Sequence, residues 1–222
     1  MKALIFCNGE GGSFHDPVSM SELFRDALAE KGVEVELYEN MDCLNDADHL
    51  KEVDVIVPNW TMGKFEGEQS GNLTSAVSEG TGVAGVHGGA GDAFRDDLNY
   101  QWMIGGQFVG HPYGGEYEVK LTDEKNPITA GVTSPFTYDS EQYYMLNDPA
   151  IRVLATTEYA GGDEYRQGDG PMPLPVVWTK TWGTGRVFYS ALGHTANEFQ
   201  VHPEVFEMTI RGIMWAGGCD EV

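Results

Sequence analysis

Residues Val83–Asp92 read VAGVHGGAGD, a short apolar run that ends at a histidine and then breaks into glycines. Such a run, apolar on both alternating faces, predicts a strand covered on both sides. A single displayed residue among small neighbours has the shape of a sharp strand-to-helix elbow. Working outward from it, Gly82–Val86 is the fourth of four such strands, after Lys2–Cys7, Val33–Tyr38 and Val53–Asn59. Between them lie helical patterns. Pro17 opens one in which Met20, Leu23, Phe24, Ala27 and Leu28 recur until Gly32 stops it; Asp46–Glu52 is short, and Glu66–Glu79 is weak and closed by Gly80. Strands alternating with helices predict an α/β domain built on an open, doubly wound, mostly parallel sheet. Ligands of such sheets bind past the carboxyl ends of the strands, where His87 and the loops after strands one and three lie.

Downstream, GGDEYRQGDGPMPLP (residues 161–175) reads as a long loop. Val176–Thr181 and Arg186–Ala191 flank a turn at Gly183–Gly185 and form a C-terminal β-hairpin extension that ends at Gly193-His194. The last helix starts at His202-Pro203-Glu204, where proline suits the first helical position and glutamate the positive end of the dipole. The 222 residues fit a single domain spanning 1–222.

Thirteen Lys and Arg against 35 Asp and Glu give a formal charge of −22, which excludes a nucleic-acid backbone or an anionic membrane as partner. The opening MKALIFCNGEGG is too short in its apolar run for a signal peptide, and no stretch approaches a membrane span. Three cysteines without metal spacing point to a reducing compartment, so a cytoplasmic location is expected. Aromatic content of 11% leaves apolar surface for a homo-oligomer to cover.

The chemistry gathers on histidines next to glycines: His15 in SFHDP, His87 in GVHGG, His111 in GHPYGG and His194 in LGHT, with Asp16, Asp92, Glu141, Tyr143 and Tyr144 alongside. One such histidine is more often a satisfied, partly buried imidazole, whereas four together describe a polar pocket. With histidine at the elbow, an acyl-enzyme mechanism has no Ser or Cys nucleophile there; imidazole can serve as general base, proton donor or metal ligand. His87, His111 and His194 are the candidate ligands of a divalent metal such as zinc. No HxH or HExxH spacing is present, so such a set depends wholly on the fold, and chemistry without metal stays open.

GVHGGAGDAF, YQWMIGGQFVGHPYGG, NPITAGV with FTYDSEQYYM, PVVWTKTWGTGRVFYSALGHTANEF and PEVFEMTIRGIMWA, in that order, resemble the trehalose-utilisation (ThuA-like) proteins over most of the chain. The resemblance implies a flavodoxin-like fold of the class I glutamine amidotransferase-like type with its cysteine replaced. It also implies a role in carbohydrate catabolism, of trehalose and related disaccharides, often beside oxidoreductases that make 3-keto sugars. By position, His15, His87, His111, Glu141 and His194 would meet at the carboxyl edge of the sheet. Two readings follow. In one, the chain is an enzyme acting on a small-molecule carbohydrate, a hydrolase or a lyase/isomerase but not a glutamine amidotransferase. Its catalytic residues would be His87, Glu141 and His194, and its sugar-binding residues His15, Asp16, Trp60 and Tyr143, with Trp182 as a further stacking surface. In the other it is a non-catalytic sugar-binding or regulatory protein.

Overall fold

The computed structural model describes residues 1–8, 15–122, 125–160 and 171–222. Its first half follows the apolar runs. β1 (Lys2–Cys7), β3 (Val55–Asn59) and β4 (Gly82–Val86) are buried almost throughout, because helices cover both faces of the sheet around them. β2 (Glu34–Tyr38) sits at the edge and is only half-buried. Between them run α1 (Pro17–Glu30), a single 3-10 turn (Asp42–Asn45), α2 (His49–Glu52) and α3 (Gln69–Glu79).

After β4 come α4 (His87–Gly91) and α5 (Leu98–Ile104), then β5 (Gly106–Leu121), β6 (Phe136–Asn147), β7 (Arg152–Tyr159), β8 (Met172–Trp182) and β9 (Gly185–Ser190). The chain closes with α6 (Ala196–Val201) and α7 (Pro203–Ala216), which starts at the His202-Pro203 signal. The strands form one nine-stranded sheet in the order β2-β1-β3-β4-β9-β8-β7-β5-β6.

Two expectations are corrected here. The sheet is mixed rather than mostly parallel: pairs from β2 to β9 are parallel, and pairs from β9 to β6 are antiparallel. Parallel pairing needs a crossover, usually a helix, between partner strands; from β5 to β9 the described connections carry none, so neighbours run antiparallel. Nor is the β8–β9 hairpin an extension. β9 pairs in parallel with β4 (Val83 with Val187 through Val86 with Ser190), and Val187, Phe188 and Tyr189 are fully buried at the centre of the sheet. Each such large apolar side chain contributes roughly 1.5–3 kcal/mol when taken out of water.

Of the long loop read at 161–175, residues 161–170 lie outside the described residues, and Met172–Pro175 belong to β8. Its prolines 173 and 175 pair with β7 but lie before Val177, where the register with β9 begins, so their missing N–H groups interrupt no central ladder. α7 buries Val205, Met208, Ile210, Ile213 and Ala216 against β9, β4 and β3. This frame leaves the carboxyl ends of β1, β3, β4 and β9 side by side.

Candidate functional site

At the end of β4 the chain turns directly into α4, and His87 makes the turn with φ of +43°. A non-glycine residue in the left-handed region costs roughly 1–2 kcal/mol, and such strain persists only where the surroundings enforce it. Here they do. A Cβ at Gly88 would collide with the His15 ring, and one at Gly89 with Oδ1 of Asn59, so only glycines let α4 pack this close to the neighbouring loops. His87 is 1% exposed. Its Nδ1 is 2.8 Å from the Ala191 carbonyl oxygen, its ring stacks on Tyr143 at 4.0 Å, and its Nε2 lies 3.3 Å from Oε2 of Glu141.

Three further elements bring their side chains to the same place. His15, just before α1, is buried and sets Nδ1 2.7 Å from the hydroxyl of Thr61, whose own N–H donates to Asn8 Oδ1 and so ties the loop after β3 to the end of β1. Glu141 comes from β6. His194 follows β9, with Nδ1 3.6 Å from Oε1 of Glu198 and its backbone N–H donating to Oε2 of the same carboxylate. Glu198 also accepts from Tyr138 (2.5 Å) and Ser140 (3.0 Å), so it is held from both sides. The rings of His15, His87 and His194 form a triangle with centroid separations of 5.1, 5.0 and 5.0 Å. One ligand atom from each of His15, His87, Glu141 and His194 lies within 4.8 Å of the others.

The electrostatics follow from this crowding. Burial, reinforced by the neighbouring imidazoles of His87 and His194, pushes His15 down to about 4. The hydrogen bond from His87 outweighs burial and lowers Glu141 to about 2, with His194 and His111 helping. The hydrogen bond to Glu198 raises His194 against its burial. For Glu198, burial is outweighed by the donors His194, Tyr138 and Ser140, and it stays below the usual carboxylate range.

The family model described as trehalose utilisation matches residues 2–216. The chain belongs to the ThuA family. Among solved structures it is similar to a ThuA-like protein of Bacteroides uniformis ATCC 8492, at 19% identity and a TM-score of 0.78 over 100% of this chain and 93% of that one. A ThuA-like protein of Parabacteroides merdae ATCC 43184 follows at 18% and 0.72, over 98% and 90%. A GMP synthase component from Thermoplasma acidophilum shares 16% and a TM-score of 0.53, over 95% and 94%, a likeness of fold to the amidotransferase type. No curated protein sequence matches.

On this ThuA chain the candidate residues divide. His15, His87, Glu141 and His194 meet. His111, read with His87 and His194 as a ligand, stands outside that group: it lies on the irregular stretch of β5 between Gly110 and Tyr113, its side chain is 53% exposed, and its Nε2 is 3.7 Å from the other Glu141 oxygen. Tyr143 is corrected as a stacking platform, because it is 2% exposed with His87 and Phe108 against its ring. Trp182 ends β8 opposite the start of β9, at the far edge of the sheet from His87, and its Nε1 donates to the Thr74 carbonyl. Asp16 is exposed at the N-cap position of α1, with φ of +46°, and accepts from the Ser19 hydroxyl. Trp60 remains half-buried beside Thr61, with its N–H bonded to the Gly89 carbonyl. Asp92 forms a two-pronged pair with Arg95 instead of facing the histidines. Sequence reasoning missed Thr61, Tyr138 and Glu198; of these only Glu198 carried a signal, standing four residues after His194 in the first turn of a helix.

Proposed function

We propose that this ThuA-family chain is an enzyme acting on a sugar or keto-sugar derivative at the histidine-lined carboxyl edge of β4 and β9, without glutamine amidotransferase activity. The observation that carries the reading is His87: a strained, buried elbow residue whose one ring nitrogen is engaged by the Ala191 carbonyl while the other faces the Glu141 carboxylate. Strained backbone with a polar group turned toward a charged partner is what reactive sites retain and passive cores discard. In this reading His87 and Glu141 form the acid/base pair, His194 is oriented by Glu198 as the second polar contact, and Trp60 is the half-buried aromatic left for the apolar face of a sugar ring.

Against amidotransferase chemistry stand the thiols. Burial raises both Cys7, inside β1, and Cys43, the latter to about 12, so neither is a thiolate at neutral pH, and the elbow offers imidazole. The family's description supports a disaccharide-derived substrate, and the cysteines, free in this chain, suit the cytoplasm. The formal charge of −22 leaves a small carbohydrate, rather than a polyanion, as the partner.

The test is turnover of trehalose, related disaccharides and their keto forms by the purified protein and by His87→Ala. The expected outcome is measurable turnover that falls by about 10²–10⁴ in kcat/KM in the variant, with an unchanged far-ultraviolet circular dichroism spectrum. Saturable sugar binding without turnover, unaffected by His87→Ala, would instead establish the non-catalytic binding protein.

A further inference from the structure

We propose that His15, His87, Glu141 and His194 are the ligands of one divalent transition-metal ion, with zinc the best match to their donors, and that a keto-sugar's carbonyl oxygen joins this ion as a fifth ligand. The inference rests on the reading of this site as a sugar enzyme and names its cofactor; with the ion bound, His87 and Glu141 serve as its ligands rather than as the acid/base pair.

The first argument is a hydrogen-bond inventory. The Ala191 carbonyl can only accept, so His87 Nδ1 carries the hydrogen in the 2.8 Å bond between them. In the neutral ring Nε2 is then a lone pair, yet it faces a carboxylate oxygen 3.3 Å away. Either a second proton on His87 or a metal ion between the two atoms satisfies both, and the convergence of His15 and His194 on the same point selects the metal ion.

The second argument is the spacing of the rings. With metal–nitrogen bonds of about 2.0–2.1 Å and each ring centre roughly 1.2 Å further out, a tetrahedral ion holds three imidazole centroids about 5 Å apart. The three observed separations are 5.1, 5.0 and 5.0 Å. The four ligand atoms, within 4.8 Å of one another, need only a small inward movement to close on an ion.

The third is the outer layer. Each imidazole has Nδ1 beside an oxygen: the Thr61 hydroxyl at 2.7 Å, the Ala191 carbonyl at 2.8 Å and the Glu198 carboxylate at 3.6 Å. That arrangement fixes ring orientation and tautomer around metal-ligating histidines. Among the described residues, His49 faces Glu36, which also pairs with Lys2, and His202 faces Glu204, and neither site brings a second histidine to the carboxylate. Three nitrogens and one oxygen favour zinc, cobalt or iron(II) over magnesium or calcium, which select oxygen. Glu141 and His194 are the open members of the four, with 27% and 26% of their side chains exposed, and mark the side from which a sugar would reach the ion.

The experiment titrates the chelator-stripped whole protein with Zn²⁺ and Co²⁺ by calorimetry, follows the imidazole ¹⁵N signals by NMR, and repeats the titration on Glu141→Gln, His15→Ala and His49→Gln. The expected result is one ion per chain, shifts confined to His15, His87 and His194, affinity lowered about 100-fold or more in the first two variants, and no change in His49→Gln. Glu141→Gln keeps the side chain's shape, and the ring signals of the unmutated protein need no variant, so a misfolded His15→Ala does not blunt the test. No binding tighter than about 10 μM by the unmutated protein, or equal affinity in Glu141→Gln, overturns the proposal. Metal bound without sugar turnover defeats the enzyme reading alone, whereas turnover untouched by chelation defeats the metal alone.

Discussion

Two buried charge clusters in this molecule are built on opposite plans. Lys180 on β8 donates to the Asp148 carboxylate and to the Trp102 carbonyl, both at 2.6 Å, and Asp148 also accepts from the Ala150 N–H at 2.8 Å. Every contact is short and the backbone there is ordinary. At Glu141 the contacts with the His87 and His111 rings are longer, 3.3 and 3.7 Å, and the backbone at His87 is strained. A charge retained for stability has its bonding capacity filled by the protein, whereas a charge retained for chemistry is left looking for a partner. Burial alone does not separate the two: His87 is 1% exposed and the Lys180 side chain 4%.

If that contrast is right, the same kind of deletion has opposite consequences at the two places. The largest effect is the loss of about 10²–10⁴ in kcat/KM expected of His87→Ala. Lys180→Met should leave kcat/KM of the folded protein within about twofold while lowering unfolding free energy by about 3 kcal/mol, since it strands Asp148 and the Trp102 carbonyl. Urea unfolding beside steady-state kinetics reads both; a Lys180→Met protein with wild-type stability would show that the pair is ornamental.

Next in size is Glu198→Gln. Glu198 touches His194 but is not one of the four converging residues, and the expected loss is about 10–100-fold in Zn²⁺ affinity. The same substitution replaces the charged acceptor that raises His194 with a neutral one, so the His194 ring should titrate at lower pH in the variant, a change an NMR pH series detects. A purely structural Glu198 would lower the melting temperature and leave both readouts in place.

The smallest effect is on acid stability. The hydrogen bond from Lys180 holds Asp148 below its ordinary value. A carboxylate with a depressed folded-state pKa contributes stability that is present above the unfolded value of about 3.9 and is lost as pH falls through the depressed one. Asp148→Asn should therefore lose stability at neutral pH and show a shallower decline below that value. Unfolding midpoints measured across the acid range test this, and parallel curves for the two proteins would remove the pair from the account.

Much of the fold's first half is legible in the sequence because its signals are local. The apolar runs place Val33–Tyr38, Val53–Asn59 and Gly82–Val86 within two residues of the observed strands, and Pro203 places α7. β5 and β6 escape such a reading: they show partial alternation broken by Gly110, Gly114 and Gly115, and their register shifts between Gly110 and Tyr113. The insertion of β9 beside β4 is equally invisible, since nothing in GRVFYS states which strand it joins. Within the site, glycine context singles out His87 and His194, but it favours His111 as a ligand over Glu141 and gives no hint of Thr61.

What the sequence alone determined is the βα succession, the elbow at His87 and the lack of any nucleophile there, because periodicity, glycine breaks and residue identity act over a few positions. Which histidines meet was decided by the tertiary structure. His87 bonds to a carbonyl 104 positions away and faces a carboxylate 54 positions away. Contacts at such separation are set by strand order and by how closely glycine-bearing α4 packs, and neither is written in the residues that make them.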